Sequence, residues 1–530
     1  MSSAKQVERE ITNTPEQNDN AGTDVFVVHG VDPEVQAYAM AKYSRSALSM
    51  RESLQELNET RAEKFLNTFY FQYGHRSIAD LAHIAMAIEK LSLLAATIVV
   101  DEQRWDGQER STRYQDFKKS SYYVPKFGGK TELAGRYRDT IEFLFSEYRE
   151  FSELMFQYLV SLTQKPEEMK QEAYERTLRA RAFDISRYLL PMATNTSLGQ
   201  IVNARTLETQ VSRLLSDPHA EVRELAAKMK AAAREPAYNV NHEAFRKLVE
   251  AIRAKDGSLG DLAEAQLLRE VKASPTLVKY AEQNQYEMAT RKELRQAARE
   301  LMAGAAIEKA PSVDLLDTEP LEIELATTLL YEQSQYPYRQ LRRAVEDSTE
   351  SWRAEIIDLG MRHRGKHDEL LRAFHAGQQF RFDILMDIGG YRDMHRHRRC
   401  TQIAQSYCFA HGYETPAEIT AAGHAERYGR TMRRAGEVAH ALALELEKQP
   451  GAETEDVQYM IPLAYRKRAL FKMDFAEVVY ISELRTTPAG HYSYRKVAWE
   501  MYDAVAKRHP ALAKYFRVHD IHAPVDLLQR

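Results

Sequence analysis

Two stretches of this 530-residue chain repeat each other at fixed spacing. Arg213, His219, Arg223, Ala226 and Met229 lie in one, and Arg485, His491, Arg495, Ala498 and Met501 in the other; all four gaps match, and the offset is 272 residues. An offset near half the chain means two diverged copies of one domain. The length agrees, because a single core seldom grows to 530 residues and two domains of about 200 are ordinary. The copies differ in the polar residues they retain, so those differences point to a shared ligand site.

Boundaries follow from composition. Residues 1–23 are polar and are expected to be a disordered tail without a secretory signal. The first copy is placed at 24–232 and the second at 312–530. Val25–Val28 and Val313–Leu316 read as short strands, each followed by a helix with a proline in its first turn (Pro33 through Tyr43, Pro320 through Tyr331). The connector, 233–311, reads as a helical spacer or docked subdomain whose last helix, Arg291–Met302, stops at Gly304. Ile78, Leu81, Ala85 and Ile88 recur at helical spacing, as do Leu225, Met229 and Ala232. Ala96–Val100, Gly199–Asn203 and Ala476–Ile481 are the strand candidates. The expected fold class is α+β, rich in helix.

Charge and cysteine content narrow the function classes. A net charge of −4 gives no global basic field for nucleic acid. Two cysteines, Cys400 and Cys408, cannot build a disulfide framework, which makes a reducing cytoplasm the simplest home. The most apolar run, Leu91–Val100, is about half a membrane span and reads as a buried element.

Three segments carry candidate chemistry. Arg396-His397-Arg398-Arg399, preceded by His395, is either a solvated basic turn or an anion site, since guanidinium forms bidentate bonds to phosphate. A His395/His397 metal pair lacks a third ligand at suitable spacing. Glu109, Ser111 and Arg113 alternate, so an extended backbone would point an acceptor, a hydroxyl and a guanidinium the same way. The third segment runs Ser186-Arg187-Tyr188-Leu189-Leu190-Pro191, then Asn203-Ala204-Arg205-Thr206-Leu207 and Arg213. Here Arg187 could equally snorkel at a core edge, and Arg205 lie on a helix surface.

Together these segments resemble the flavin-dependent thymidylate synthases, also called thymidylate synthase complementing proteins. Their signature reads Arg-His-Arg-x-x-Ser-x-Asn-Glu-x-Ser-x-Arg-Tyr. The second copy keeps the opening as Arg396-His397-Arg398, with Thr401 for the serine, but has Ala404 for the Glu and Cys408 for the last Arg. The first copy keeps the close as Glu109, Ser111, Arg113 and Tyr114, but has Asp101-Glu102-Gln103 for Arg-His-Arg. It also shows the family's upstream His-x-Ser as His75-Arg76-Ser77, its Arg-x-x-Leu-Pro as Arg187 to Pro191, and its Asn-x-Arg helix start as Asn203 and Arg205. A later arginine follows as Arg213, and the second copy retains Pro462 and Arg485 but has Gln458 opposite Arg187.

The resemblance implies a site for FAD and for deoxyuridylate (dUMP). Arg396, His397, Arg398, Thr401, His75, Ser77, Asn203 and Arg205 would hold FAD. Glu109, Ser111, Arg113 and Arg187 would hold the nucleotide, and Arg213 and Arg485 occupy the position of the activating arginine. NADPH and methylenetetrahydrofolate would be co-substrates, with the flavin carrying the redox step and no enzyme nucleophile needed; a Cys400 thiol is a minor alternative. Family members assemble four domains, so two such chains would form a homodimeric pseudo-tetramer. Sites built on Asp101-Glu102-Gln103 would hold no flavin, because carboxylates there repel its phosphates. Modification of another pyrimidine nucleotide, or binding without catalysis, are the rival expectations.

Overall fold

A computed structural model describes residues 28, 30–42, 50, 76–117, 121–279, 281–317, 320–365, 371–374, 380–449, 453–514 and 516–528. The expected tail and all but the end of the Val25–Val28 strand lie outside the described residues. Each copy is a small antiparallel sheet wrapped by helices. In the first copy, β1 (His83–Ser92) and β2 (Asp106–Glu109) flank β3 (Asn195–Asn203). The second copy adds β4 (Val313–Leu315) to the edge of β5 (Phe380–Asp387), while β6 (Thr401–Ala404) lies on the far side of β7 (Arg466–Met473). Without β4, the two strand orders are the same. The fold is α+β and helix-rich, in two repeats.

The repeats share their strand-to-helix joints. β1 runs into helix Leu93–Val99, where the Ser92 hydroxyl accepts from the Ala95 N–H. β5 runs into helix Ile388–Met394, where the Asp387 carboxylate accepts from Gly390. Asn203 caps Ala204–Leu215 after β3, and Asp474 caps Phe475–Arg485 after β7. Each cap satisfies an N–H that a helix start leaves unpaired.

The copies dock through equivalent segments. Pro191 pairs antiparallel with Pro462. The Met192 N–H donates to the Ile461 carbonyl at 2.9 Å, and the Leu463 N–H to the Leu190 carbonyl at 3.0 Å. Leu93 N–H donates to Thr194 and Ile388 N–H to Tyr465, the same bond in either copy. Tyr188, Leu190, Tyr459 and Ile461 are buried in one core that spans both copies. This pseudo-twofold contact brings signature residues of opposite copies together.

Several expectations are corrected. Ala96–Val100 and Ala476–Ile481 are not strands; they lie in, or at the end of, the helices Leu93–Val99 and Phe475–Arg485. Ala95, Ala96 and Val99 are fully buried, and the cap plus packing outweighs β propensity. Ala85 and Ile88, read at helical spacing, lie in β1; Gly199–Asn203 is in β3 as expected. Pro320 stands at the cap of helix Leu321–Tyr331, one place before its first turn. The last connector helix starts earlier, at Gln285, and ends at Leu301, with Gly304 at φ +75° beyond it. That helix docks Leu294 and Ala298 on the second copy's core, while Leu277 and Val278 bury in the first copy's.

Candidate functional site

The alternating Glu109/Ser111/Arg113 pattern does not fold as an extended strand. β2 ends at Glu109, and Thr112–Tyr114 form a turn. Ser111 turns inward, its hydroxyl accepting the Arg113 N–H at 3.2 Å. Thr112 takes the place expected for Ser111: its hydroxyl lies 3.5 Å from Arg187 Nη1 and 3.4 Å from Arg392 Nη1. Arg113 bonds Asp184 at 3.0 Å, the Tyr494 hydroxyl at 3.0 Å and the Ala489 carbonyl at 3.1 Å.

Arg187 is only 2% exposed, at the C-terminal end of helix Gln171–Ser186. It faces Asp184 at 3.5 Å and Asp393 of the other copy at 3.9 Å. Burial disfavours its charge, but Asp184 and Asp393 outweigh burial and raise its pKa. Burial also opposes ionisation of Asp184, yet His491 and Arg187 hold that carboxyl well below the usual range. His491 lies 3.1 Å from Asp184 through Nδ1 and 2.9 Å from the Tyr188 hydroxyl through Nε2.

The second copy closes this cluster. Glu109 receives Arg392 at 3.1 Å and stands 3.9 Å from Arg396. Arg398 lies over the Trp105 ring at 4.5 Å. Trp105 donates to Gln200 of β3, and Gly107 lets the ring lie flat, since a Cβ there would stand 2.5 Å from it. His397 turns away from this surface. It is buried, and its Nε2 accepts from Arg485 Nε at 2.7 Å. That bond needs a neutral imidazole, and burial lowers the His397 pKa in agreement. Arg485 in turn lies 5.5 Å from the Tyr494 ring centroid.

Four guanidiniums, Arg113, Arg187, Arg392 and Arg396, thus share three carboxylates, Asp184, Asp393 and Glu109. Arg187 Nε and Nη2 and Arg392 Nε are buried with no hydrogen-bond partner. Buried donors left open in a cationic cluster suit a phosphate-bearing ligand.

The remaining candidates lie elsewhere. His75 is outside the described residues, and Ser77 falls in the short turn Arg76–Leu81. Thr401 is buried on β6. Asn203 acts as a helix cap, while Arg205 pairs with Asp80 at 3.3 Å and, with Arg213, lines a different cleft. Arg213 bonds Glu102 at 2.8 Å there. Burial pushes the Cys400 thiol up to about 12, so it is not a ready nucleophile. Thr112, Asp184, Arg392, Asp393, Tyr494 and Trp105 were missed in the sequence. Only Asp184 carried a signal, since it lies one turn before Arg187 and is matched by Glu455 before Gln458.

The family model for thymidylate synthase complementing protein matches twice, at residues 26–237 and 314–511. The chain belongs to the thymidylate synthase complementing protein family. Two relatives matching it nearly end to end are UPF0159 proteins: one of Chlamydia pneumoniae, 26% identical over 96% of this chain and 94% of its own, and one of Thermoplasma acidophilum, 24% identical over 91% and 94%. A flavin-dependent thymidylate synthase of Clostridium tetani is 27% identical over 39% of this chain and 81% of its own. The Helicobacter pylori enzyme, solved with FAD and dUMP, covers 38% of this chain and 89% of its own at 16% identity, with a TM-score of 0.24. Both repeats of this chain fall within the alignment to these two UPF0159 proteins, since it covers more than nine tenths of each chain. Among the described residues no helix is long and apolar enough to cross a membrane.

Proposed function

We propose that the chain is a flavin-dependent thymidylate synthase that reductively methylates dUMP to dTMP, using methylenetetrahydrofolate and NADPH. One observation carries the reading: the signature fragments kept by opposite copies converge. Glu109, Arg113 and Arg187 of the first meet Arg396 and Arg485 of the second, directly or through the neighbouring Arg392, Asp393 and Tyr494.

Arg113 and Arg187 would hold the nucleotide phosphate, with Thr112 adding a hydroxyl. Arg396 and Arg398 would hold the flavin's phosphates, and Trp105 keeps Arg398 in place. Bound flavin would supply the redox chemistry; the chain's residues supply position and charge. His397 fixes Arg485 by accepting its Nε–H, leaving the other guanidinium nitrogens for the pyrimidine. Two chains would pair as a pseudo-tetramer of domains.

The test supplies purified, flavin-loaded protein with dUMP, methylenetetrahydrofolate and NADPH, and in parallel complements a thymidine auxotroph. The proposal expects dTMP and growth. A folded, flavin-loaded protein that forms no dTMP and rescues no growth contradicts it.

A further inference from the structure

The chain's pseudo-twofold gives it a second, differently furnished cleft, of about 1440 Å³. Here Asp101-Glu102-Gln103 occupies the place of Arg-His-Arg. Asp101 is held by Arg372 at 2.6 Å and Glu102 by Arg213 at 2.8 Å, so these charges answer each other. The connector helix Gln285–Leu301 adds Arg291, Arg295 and Arg299 to one wall. Arg291 pairs with Glu287 and Arg295 with Glu455, whereas Arg299 is exposed and in no ion pair among the described residues.

Lys467 of β7 lines this cleft and has no such answer. It is 7% exposed, and among the described residues its ammonium makes no ion pair and no hydrogen bond. It sits 3.6 Å from the Tyr407 ring centroid and 4.9 Å from that of Tyr391. Ring faces offset a buried cation only in part, and a buried charge ordinarily has a counter-ion. Beside it, the Tyr407 hydroxyl is a buried donor without a hydrogen-bond partner, and Tyr407 lines the same cleft. An amine without a counter-ion beside an open hydroxyl, on the wall of a large cavity, offers a seat for an anion.

We propose that this second cleft binds a small anionic molecule bearing a phosphate or carboxylate group, seated on Lys467. The proposal does not depend on flavin binding at the first site. Burial draws the Lys467 pKa down to about 7 against the opposing pull of Asp101, Cys408 and Glu332. His395, close by, is kept neutral by burial. An anion on Lys467 therefore binds with proton uptake, and its affinity falls as pH rises above 7.

Calorimetry with inorganic phosphate and, separately, citrate at pH 6.5 and 8.5 tests this on the full chain. The expected result is one saturable site per chain for at least one probe, about tenfold weaker or more at the higher pH. The stronger probe tells phosphate from carboxylate. Lys467→Gln should abolish this binding while leaving flavin content unchanged. In wild-type protein, the bound anion should protect Lys467 from amine-reactive labelling, read by mass spectrometry. Binding that survives Lys467→Gln, ignores pH or leaves labelling unchanged overturns the proposal, as does failure of both probes to bind.

Discussion

At the residue scale, the site rests on arginines that the protein neutralises incompletely. Arg187 faces two carboxylates, and its Nη2 is still buried without a partner. Arg113→Ala should weaken dUMP about 10–100-fold by calorimetry on holo protein, from the loss of a charge-assisted bond. Flavin content should be unchanged; an unchanged nucleotide affinity would remove Arg113 from the site. Arg187→Ala should also destabilise the fold by about 3 kcal/mol in denaturant titration, because Asp184 and Asp393 lose a buried partner. Arg396→Ala combined with Arg398→Ala should strip the flavin from a protein with unaltered circular dichroism. Arg113, Arg187, Arg396 and Arg485 were legible in the sequence through spacing and motif. Thr112, Arg392 and Asp393 were not, because a turn and an inter-copy contact place them, and neither leaves a local pattern.

At the element scale, the two copies solve one problem with exchanged parts. In the first, Ser92 caps its helix and both its N–H and hydroxyl donate to Glu221, at 2.8 and 2.6 Å. In the second, Asp387 is the cap and Ser493 is the donor. Acid and hydroxyl have traded positions across the repeat. Ser92→Asp should therefore set two buried carboxylates together and cost about 3 kcal/mol, and Glu221→Ser in the same chain should restore at least half of it. A double variant no more stable than the single one would refute the exchange. Asp456, in the turn where the copies meet, offers a pH test. Burial and then Glu453 push its carboxyl up to about 7, from 3.8. The folded value is the higher one, so the stability it contributes is complete below about pH 4 and is lost as pH rises through 7. Asp456→Asn should gain on wild type by on the order of 2–4 kcal/mol between pH 4 and pH 8, measured by chemical denaturation. A pH-independent difference would contradict the assignment. The sequence read helix Ala220–Arg234 well, where one face is wet and the apolar period is regular, but took Ala85 and Ile88 of β1 for helix because their spacing also fits a helical period. It misread Ala96–Val100, a short apolar run buried on nearly every side that carries no period, and Ala476–Ile481, where β-branched residues suggest a strand and the Asp474 cap starts a helix.

At the scale of the whole molecule, duplication permits a division of labour that a single domain cannot have. One cleft gathers the retained arginines of both copies. Its pseudo-symmetric counterpart pairs its acids with Arg372 and Arg213 and leaves Lys467 uncompensated. The 272-residue repeat and the split signature announced this in the sequence. Which fragments would share a cleft was set by the Pro191–Pro462 junction, a contact between segments far apart in the chain. The proposed function implies one flavin site per chain, in a protein that sediments as a dimer. The most direct test is the flavin released per mole of chain from the saturated, purified protein. About one FAD per chain is the predicted result. Two FAD per chain would mean that the cleft built on Asp101-Glu102-Gln103 also holds flavin, and would contradict the account.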